Sequence, residues 1–317
     1  MSVTNLSAAD NAIPEIWAAR VLRDMLRKSD WAGLSGQPGM GHPITRYEEI
    51  LNGPGDKINV TTTSALVGAG KTDEQTLEGQ EEALSLGTTQ LTPVLYRHAV
   101  RMGRLAAQKS VVDLREEAKV RLAEWAAVKI DNARFTAATL SSGSPNVSYS
   151  AGRSSIGTVA VGDKLTAAEV MGVRKVMITQ NATPLVAKNG SPMFGMFITP
   201  KQHYDLQQDS GYNTAVLQGS PRGAENEWFS GSVAVIAGVA LFVSTRVPTA
   251  TDGAASAQVA RNPVFGAEAL IEGWGNNVSW DEDHFDYGGE FGVAIKFGFQ
   301  AKRGLAKQNL LFYCASS

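Results

Sequence analysis

The chain has 317 residues, 43% apolar and 19% charged, with 29 Lys and Arg against 31 Asp and Glu for a formal charge of −2. This is a globular composition, long enough for one sizeable core or two smaller ones, and its near-neutral balance excludes tight nucleic-acid binding by the surface as a whole. The single cysteine, Cys314, excludes an intrachain disulfide framework and a multi-cysteine metal site, and the longest apolar run, Val233 to Val243, is too short to span a bilayer.

Residues 1–12 are polar, lack the charged and apolar regions of a secretion signal, and read as a loose arm. Pro14 at a first-turn position predicts a helix through Lys28. Between Gly33 and Gly55 the density of Gly and Pro predicts a linker or wrapping loop with no packed element. Ile58, Val60, Thr62, Ser64 and Leu66 then alternate with their neighbours at a period of two, and a second extended run covers Leu84 to Leu95. Together they predict a hairpin reaching about 30 Å from its anchor at roughly 3.3 Å per residue. Two strands alone are marginal in water and leave open edges, so such a projection needs a surface to lie on.

The far section of that hairpin, Lys71 to Glu82, sets one Lys against Asp73, Glu74, Glu78, Glu81 and Glu82. Directly afterwards Arg97, Arg101, Arg104 and Gln108 recur at steps of four, three and four, the spacing of one basic helical face. Both are readable as solvated faces, whose exposed ion pairs contribute under about 1 kcal/mol each. They also form a complementary pair, in which the acidic tip of one copy meets the basic face of the next and charge sets register.

Val112 to Ala138 reads as one long helix with a stripe of Leu114, Ala118, Leu122, Trp125 and Val128, and with Asp113, Arg115/Glu116 and Glu117/Arg121 on its other sides. About 25 residues give a spine of roughly 40 Å. Ser141 to Asp163, rich in Ser and Gly, crosses to a second region. There Thr166 and Glu169 predict a capping box opening a helix that carries Val170, Val173 and Met177. Met193 to Ile198 reads as a strand, Thr199-Pro200 as a helix start with His203 at the surface, and Val233 to Val243 as a buried central strand. Asn262-Pro263 predicts a further helix carrying Ala267 and Leu270 and closed by Gly273. Phe291 to Phe299 and Leu305 to Tyr313 are expected to form a closing strand pair beside the spine.

No chemistry-bearing pattern survives inspection. Gly68-Ala69-Gly70-Lys71-Thr72 has the end of a phosphate-binding loop but Ala65 where its first Gly belongs, and acidic residues follow it. Asp281, Glu282, Asp283, His284 and Asp286 lack calcium-loop order. His42, His98, His203 and His284 show no zinc-binding pairing, and no Gly-x-Ser-x-Gly elbow occurs. The expectation is no catalytic, cofactor or metal site.

Thr76-Leu77-Glu78-Gly79-Gln80-Glu81-Glu82-Ala83-Leu84, Arg97-His98-Ala99-Val100, and Asp113-Leu114-Arg115 with Ala118, Leu122 and Trp125 together resemble the major capsid proteins of short-tailed phages of the N-four type. Those proteins share the Hong Kong 97-like shell fold of tailed phages, herpesviruses and encapsulins. The likeness covers most of the chain, most distinctly residues 57–126. It implies an α+β chain with an N-terminal arm and wrapping loop (1–50), an extended loop (51–96), a discontinuous peripheral domain (97–140 and 285–317) holding the spine, and an axial domain (141–284). No long scaffolding segment is expected ahead of the arm. The resemblance implies a virion shell assembled in the bacterial cytoplasm from hexamers and pentamers around double-stranded DNA, touched weakly, with portal, scaffolding and decoration proteins as further partners and no membrane. Asp73, Glu74, Glu78, Glu81, Glu82, Arg97, Arg101 and Arg104 are the expected inter-subunit residues. The rival functions are an encapsulin-like compartment and, more remotely, a nucleotide-binding enzyme at Gly68–Thr72.

Overall fold

The computed structural model describes residues 28–48, 57–63, 66, 68, 70–72, 78–79, 81–84, 86–110, 113–140, 146–186, 192–219 and 235–316. The arm to residue 27, with its expected helix, lies outside them, as do Asp73 and Glu74.

In chain order the first half contains β1 (Ser35–Gly36), β2 (Ile44–Tyr47), β3 (Ile58–Thr63), β4 (Leu86–Leu91), β5 (Val94–Gly103), the short helix α1 (Arg104–Lys109), the spine helix α2 (Leu114–Thr139) and β6 (Asn146–Tyr149). There follow α3 (Ala167–Thr179), β7 (Leu185–Val186), β8 (Pro192–Ile198), α4 (Pro200–Gln208), α5 (Ser210–Gly219), β9 (Val235–Ile236), β10 (Val239–Val243) and β11 (Thr249–Ala250). The chain closes with β12 (Val259–Phe265), β13 (Leu270–Phe285), β14 (Glu290–Arg303) and β15 (Asn309–Ala315). A five-stranded sheet has the order β1-β2-β13-β14-β5, and an eight-stranded sheet runs β6-β15-β12-β8-β10-β9, with β11 on β12 and β7 on β8. The β3–β4 hairpin stands apart from both.

The spine is a 26-residue helix, about 39 Å long. Asp113 caps it by accepting from the backbone N–H groups of Arg115 and Glu116 at 2.9 and 3.4 Å. Its buried side differs from the expected stripe. Ala118 and Leu122 are buried, but Trp125 is half-buried and Val128 is exposed. The inward row instead runs through Ala118, Leu122, Ala123, Ala126, Ala127, Ile130 and Phe135. Small alanines bring the helix close to the first sheet, where Trp274, Trp280, Val293, Ile295, Phe297 and Phe299 complete the core. The stripe also takes in Lys119, Asp131 and Arg134, which no apolar pattern reveals.

The expected wrapping loop 33–55 contributes packed strands. β2 pairs in parallel with the start of β13, Ile44 opposite Leu270, and Ile44 is fully buried. The expected helix after Asn262 is strand β12. Its ladder to β8 covers only Val264 and Phe265, so Pro263 stands where that flank carries no ladder and its missing N–H is tolerated. The expected single strand Val233–Val243 is a hairpin over its described part. Ala237 and Gly238, with φ of 48° and 80°, make a two-residue reversal between β9 and β10. The expected closing pair separates. β14 packs on the spine, but β15 lies between β6 and β12 in the other sheet.

In the eight-stranded sheet, Val170, Val173 and Met177 of α3 close over Phe194, Met196, Ile198, Leu241, Leu310 and Phe312. Thr166 accepts from the Glu169 N–H, while the Glu169 carboxylate turns to Ala151 N, leaving half of the expected capping box. The full box forms at α4, between Thr199 and Gln202.

Candidate assembly surfaces

The hairpin is anchored at its base, and its described residues beyond the base are exposed. Ile58, Val60 and Leu91 pack with Ile271 of β13 in a small cluster of their own. Gly273 lets them sit close, because a Cβ there would lie 3.1 Å from the Ile58 side chain and 3.2 Å from that of Leu91, tighter than ordinary contact. Lys302 Nζ donates to Gln90 O at 2.6 Å, and Thr92 N donates to the Gln300 side chain at 2.6 Å. Farther out, Leu66, Leu84 and Leu86 are 63%, 65% and 66% exposed, and Glu78, Glu81 and Glu82 face solvent. Exposed apolar side chains gathered on one ribbon make it a candidate contact surface.

The expected basic helical face is a strand. β5 pairs with β14 along its whole length, from Val94 opposite Phe299 to Gly103 opposite Glu290. Arg97 and Arg101 share its outer face, while Tyr96, His98, Val100 and Met102 turn toward the spine. His98 stacks on Trp125 at 4.8 Å, and Tyr96 on Phe297 at 5.5 Å. Arg101 pairs with Glu290 and lies over the Phe285 ring at 4.6 Å. Lys296, opposite Arg97, pairs with Asp281 at 2.5 Å. Arg97 forms no ion pair among the described residues. Arg104 belongs to α1, beyond the strand.

Sequence reasoning missed the cluster that ties residues 29–35 to the body. Asp131 of the spine, fully buried, accepts from Ser29 Oγ at 2.5 Å, Asp30 N at 2.8 Å and Arg246 Nη1 at 2.6 Å. Arg134 Nη2 and Nε donate to Glu272 at 2.7 and 3.1 Å, and Ser35 Oγ donates to the other oxygen of that carboxylate at 2.6 Å. Next to them Trp31 inserts between Phe135, Phe197 and Phe265, with ring centroids 4.3–5.3 Å apart. Burial pushes the Glu272 carboxyl up, but the Arg134 guanidinium and the hydrogen bonds from Ser35, Arg134 and Trp274 outweigh it and hold the group below its ordinary range. Burial dominates at Asp131 and raises it. The available signal was Asp131 and Arg134, three residues apart in an alanine-rich stretch where neither belongs on an apolar side.

The remaining candidates disperse. Gly68 N donates to the Glu82 carboxylate at 2.6 Å, so an anionic side chain already occupies this donor of the phosphate-loop look-alike. Glu282 is held by Arg115 at 2.7 Å, and among the described residues no three His, Cys, Asp or Glu side chains gather as a metal site. His203 is half-buried, and burial lowers its pKa. Burial pushes the Cys314 thiol up to about 12, which leaves it inert as a nucleophile. No described helix is long and apolar enough to cross a membrane.

Two sheets locked by a spine helix, with a separate two-stranded ribbon packed at its base and exposing Leu66, Leu84 and Leu86 among its described residues, define an architecture suited to contacts with neighbouring copies. The chain belongs to the phage capsid protein family, whose model matches residues 5–307. It is 25% identical over 336 aligned residues to the major capsid protein of Pseudomonas phage KPP25, covering 92% of this chain and 89% of that one. The capsid of Ralstonia phage GP4 superposes with a TM-score of 0.76 at 19% identity, covering 100% of this chain and 99% of that one. The capsid subunit of cyanophage Pam1 gives 0.80 at 16% identity, over 99% and 96% of the two chains. The fold is therefore the Hong Kong 97-like capsid fold, of mixed α+β class, and the expected resemblance holds.

Proposed function

We propose that this chain is the major capsid protein of its phage, the repeating subunit of an icosahedral head that encloses double-stranded DNA. The observation that carries the proposal is the hairpin: clamped at Gln90 and Thr92 to β14, packed at Ile58 and Leu91 on β13, and exposing Leu66, Leu84 and Leu86 beyond. In this reading residues 1–50 are the arm, with β1 and β2 as its root in the sheet, and residues 51–96 are the extended loop. The five-stranded sheet with the spine is the peripheral unit, and the eight-stranded sheet with α3 to α5 is the axial unit. Hexamers and pentamers, portal, scaffolding and decoration proteins, and weak contacts to packaged DNA complete the arrangement. The role is structural, without catalysis. Glu82 filling the Gly68 donor supports this over nucleotide binding.

The acidic segment of one copy, including Asp73, Glu74, Glu78, Glu81 and Glu82, lies against a neighbour's outer sheet face. Arg97 is the available cation there and Arg101 its partly engaged neighbour. Charge of this kind sets register and partner choice more than affinity. The test is expression of the intact chain and negative-stain microscopy. Closed shells are expected, and Glu81→Lys/Glu82→Lys should impair them while the subunit stays folded. A wild-type chain that never forms particles overturns the reading. Particles carrying a protein cargo and no DNA during infection would make it a compartment instead.

A further inference from the structure

At the opposite end of β13 from the hairpin base, the chain reverses into β14 through Asp286, Tyr287 and Gly288, whose φ values are 50°, 50° and 88°. All three are left-handed, a conformation disfavoured for side chains as large as tyrosine. The turn is nevertheless well held. Gly289 N donates to Asp286 O at 2.8 Å, Arg104 N donates to Gly289 O at 2.8 Å, and Arg101 braces Glu290 and Phe285. On this firm base Tyr287 is 110% exposed, more open to solvent than in a reference peptide. Beside it stands α1, six residues with none buried, its Leu105 63% exposed. So short a helix with no covered side gains little from its own hydrogen bonds.

The charges around this tip are sorted by side. The sheet order sets β13 and β5 on opposite flanks of β14. Asp283 and Asp286 lie on the β13 side and its turn, and Arg104 and Lys109 lie on α1 past the end of β5. None of the four forms an ion pair among the described residues.

We propose that this tip is a head-to-tail contact between copies of the chain: Tyr287, with Asp283 and Asp286, seats on the α1 of the next copy against Leu105, Arg104 and Lys109. An exposed aromatic anchor bordered by opposite charge is the composition of an interface centre. Because the acidic and basic flanks lie on opposite sides, each contact uses one flank per copy, and the arrangement propagates by rotation. The proposal rests on the shell reading above.

The test compares the wild type, Tyr287→Asn, Asp283→Lys/Asp286→Lys, Arg104→Glu/Lys109→Glu, and the quadruple exchange, all as full chains assembled at moderate salt. Asn accepts the left-handed turn, so Tyr287→Asn should unfold at the same denaturant concentration as the wild type or a higher one. The concentration it needs for assembly should nevertheless rise roughly tenfold or more, the effect of losing an anchor residue. Each charge pair alone should block particles, and the quadruple exchange should restore them. If the wild type assembles and all variants match it, or the quadruple exchange is no better than its halves, the tip contact is wrong while the shell reading stands. A wild type that stays monomeric overturns both.

Discussion

On the inner face of the first sheet, Trp274, Trp280, Val293, Ile295, Phe297 and Phe299 close against the alanine side of the spine. On the outer face of the same strands stand Arg97, Ala99 and Arg101, with Lys296 and Ala294 beside them and Asp281 and Asp283 beyond. Among the described residues, the hairpin base covers that outer face at its Ile271 end. The difference separates two jobs. Apolar area turned inward drives folding of one copy. A charged, shallow outer face adds little to folding, because exposed ion pairs are weak and screened by salt. It is suited to register and choice of neighbour.

The inner face should therefore answer to substitution with stability and the outer face with assembly. The largest loss is expected at the buried cluster. Arg134→Ala strands Glu272 and removes a partner of Asp131, and should cost about 3–5 kcal/mol in denaturant unfolding of the subunit. Acid probes the same cluster. Glu272 titrates lower in the folded state than its ordinary value of 4.5, so its contribution is complete above that pH and is lost as pH falls through the folded value. Asp131, raised by burial, acts in the opposite sense. Glu272→Gln should remove the Glu272 part of the slope and leave a flatter acid limb in a pH series of unfolding curves.

A middling effect is expected where the spine approaches the sheet through small side chains. Ala126→Leu, at a fully buried position, should cost about 1–3 kcal/mol through overpacking, read as a lowered unfolding midpoint. The smallest is expected outside. Arg97→Glu should change subunit stability by less than about 0.5 kcal/mol, as surface substitutions generally do, yet reduce particle yield. A stable, normally assembling Arg97→Glu chain would remove the outer face from the assembly scheme.

Elements legible from residues alone are those whose ends carry their own chemistry. Asp113 satisfies the first N–H groups of the spine, Thr199 and Gln202 cap α4, and alternation from Ile58 onward writes the hairpin. The family was also legible, because several short motifs occur in order from residue 57 to residue 126. Other segments were ambiguous locally. Arg97, Arg101 and Arg104 fit a helical step, but Tyr96, His98, Val100 and Met102 equally fit a strand, and ten residues of pairing with β14 decided between them. Asn262-Pro263 offers a plausible helix start, until β15 supplies a ladder on one side and β8 leaves the other open at Pro263.

Local hydrogen-bond chemistry and periodicity thus set where the spine, the hairpin and the capped helices lie, since each satisfies its backbone within a few residues of sequence. Which sheet receives β15, and how Asp131, Arg134, Glu272 and Arg246 come to one buried cluster, depends on partners more than 100 residues apart for the links from Ser29 to Asp131 and from Arg134 to Glu272. A buried charge is tolerated only when its counter-charge and donors arrive from elsewhere in the chain, and that meeting exists in the folded molecule alone.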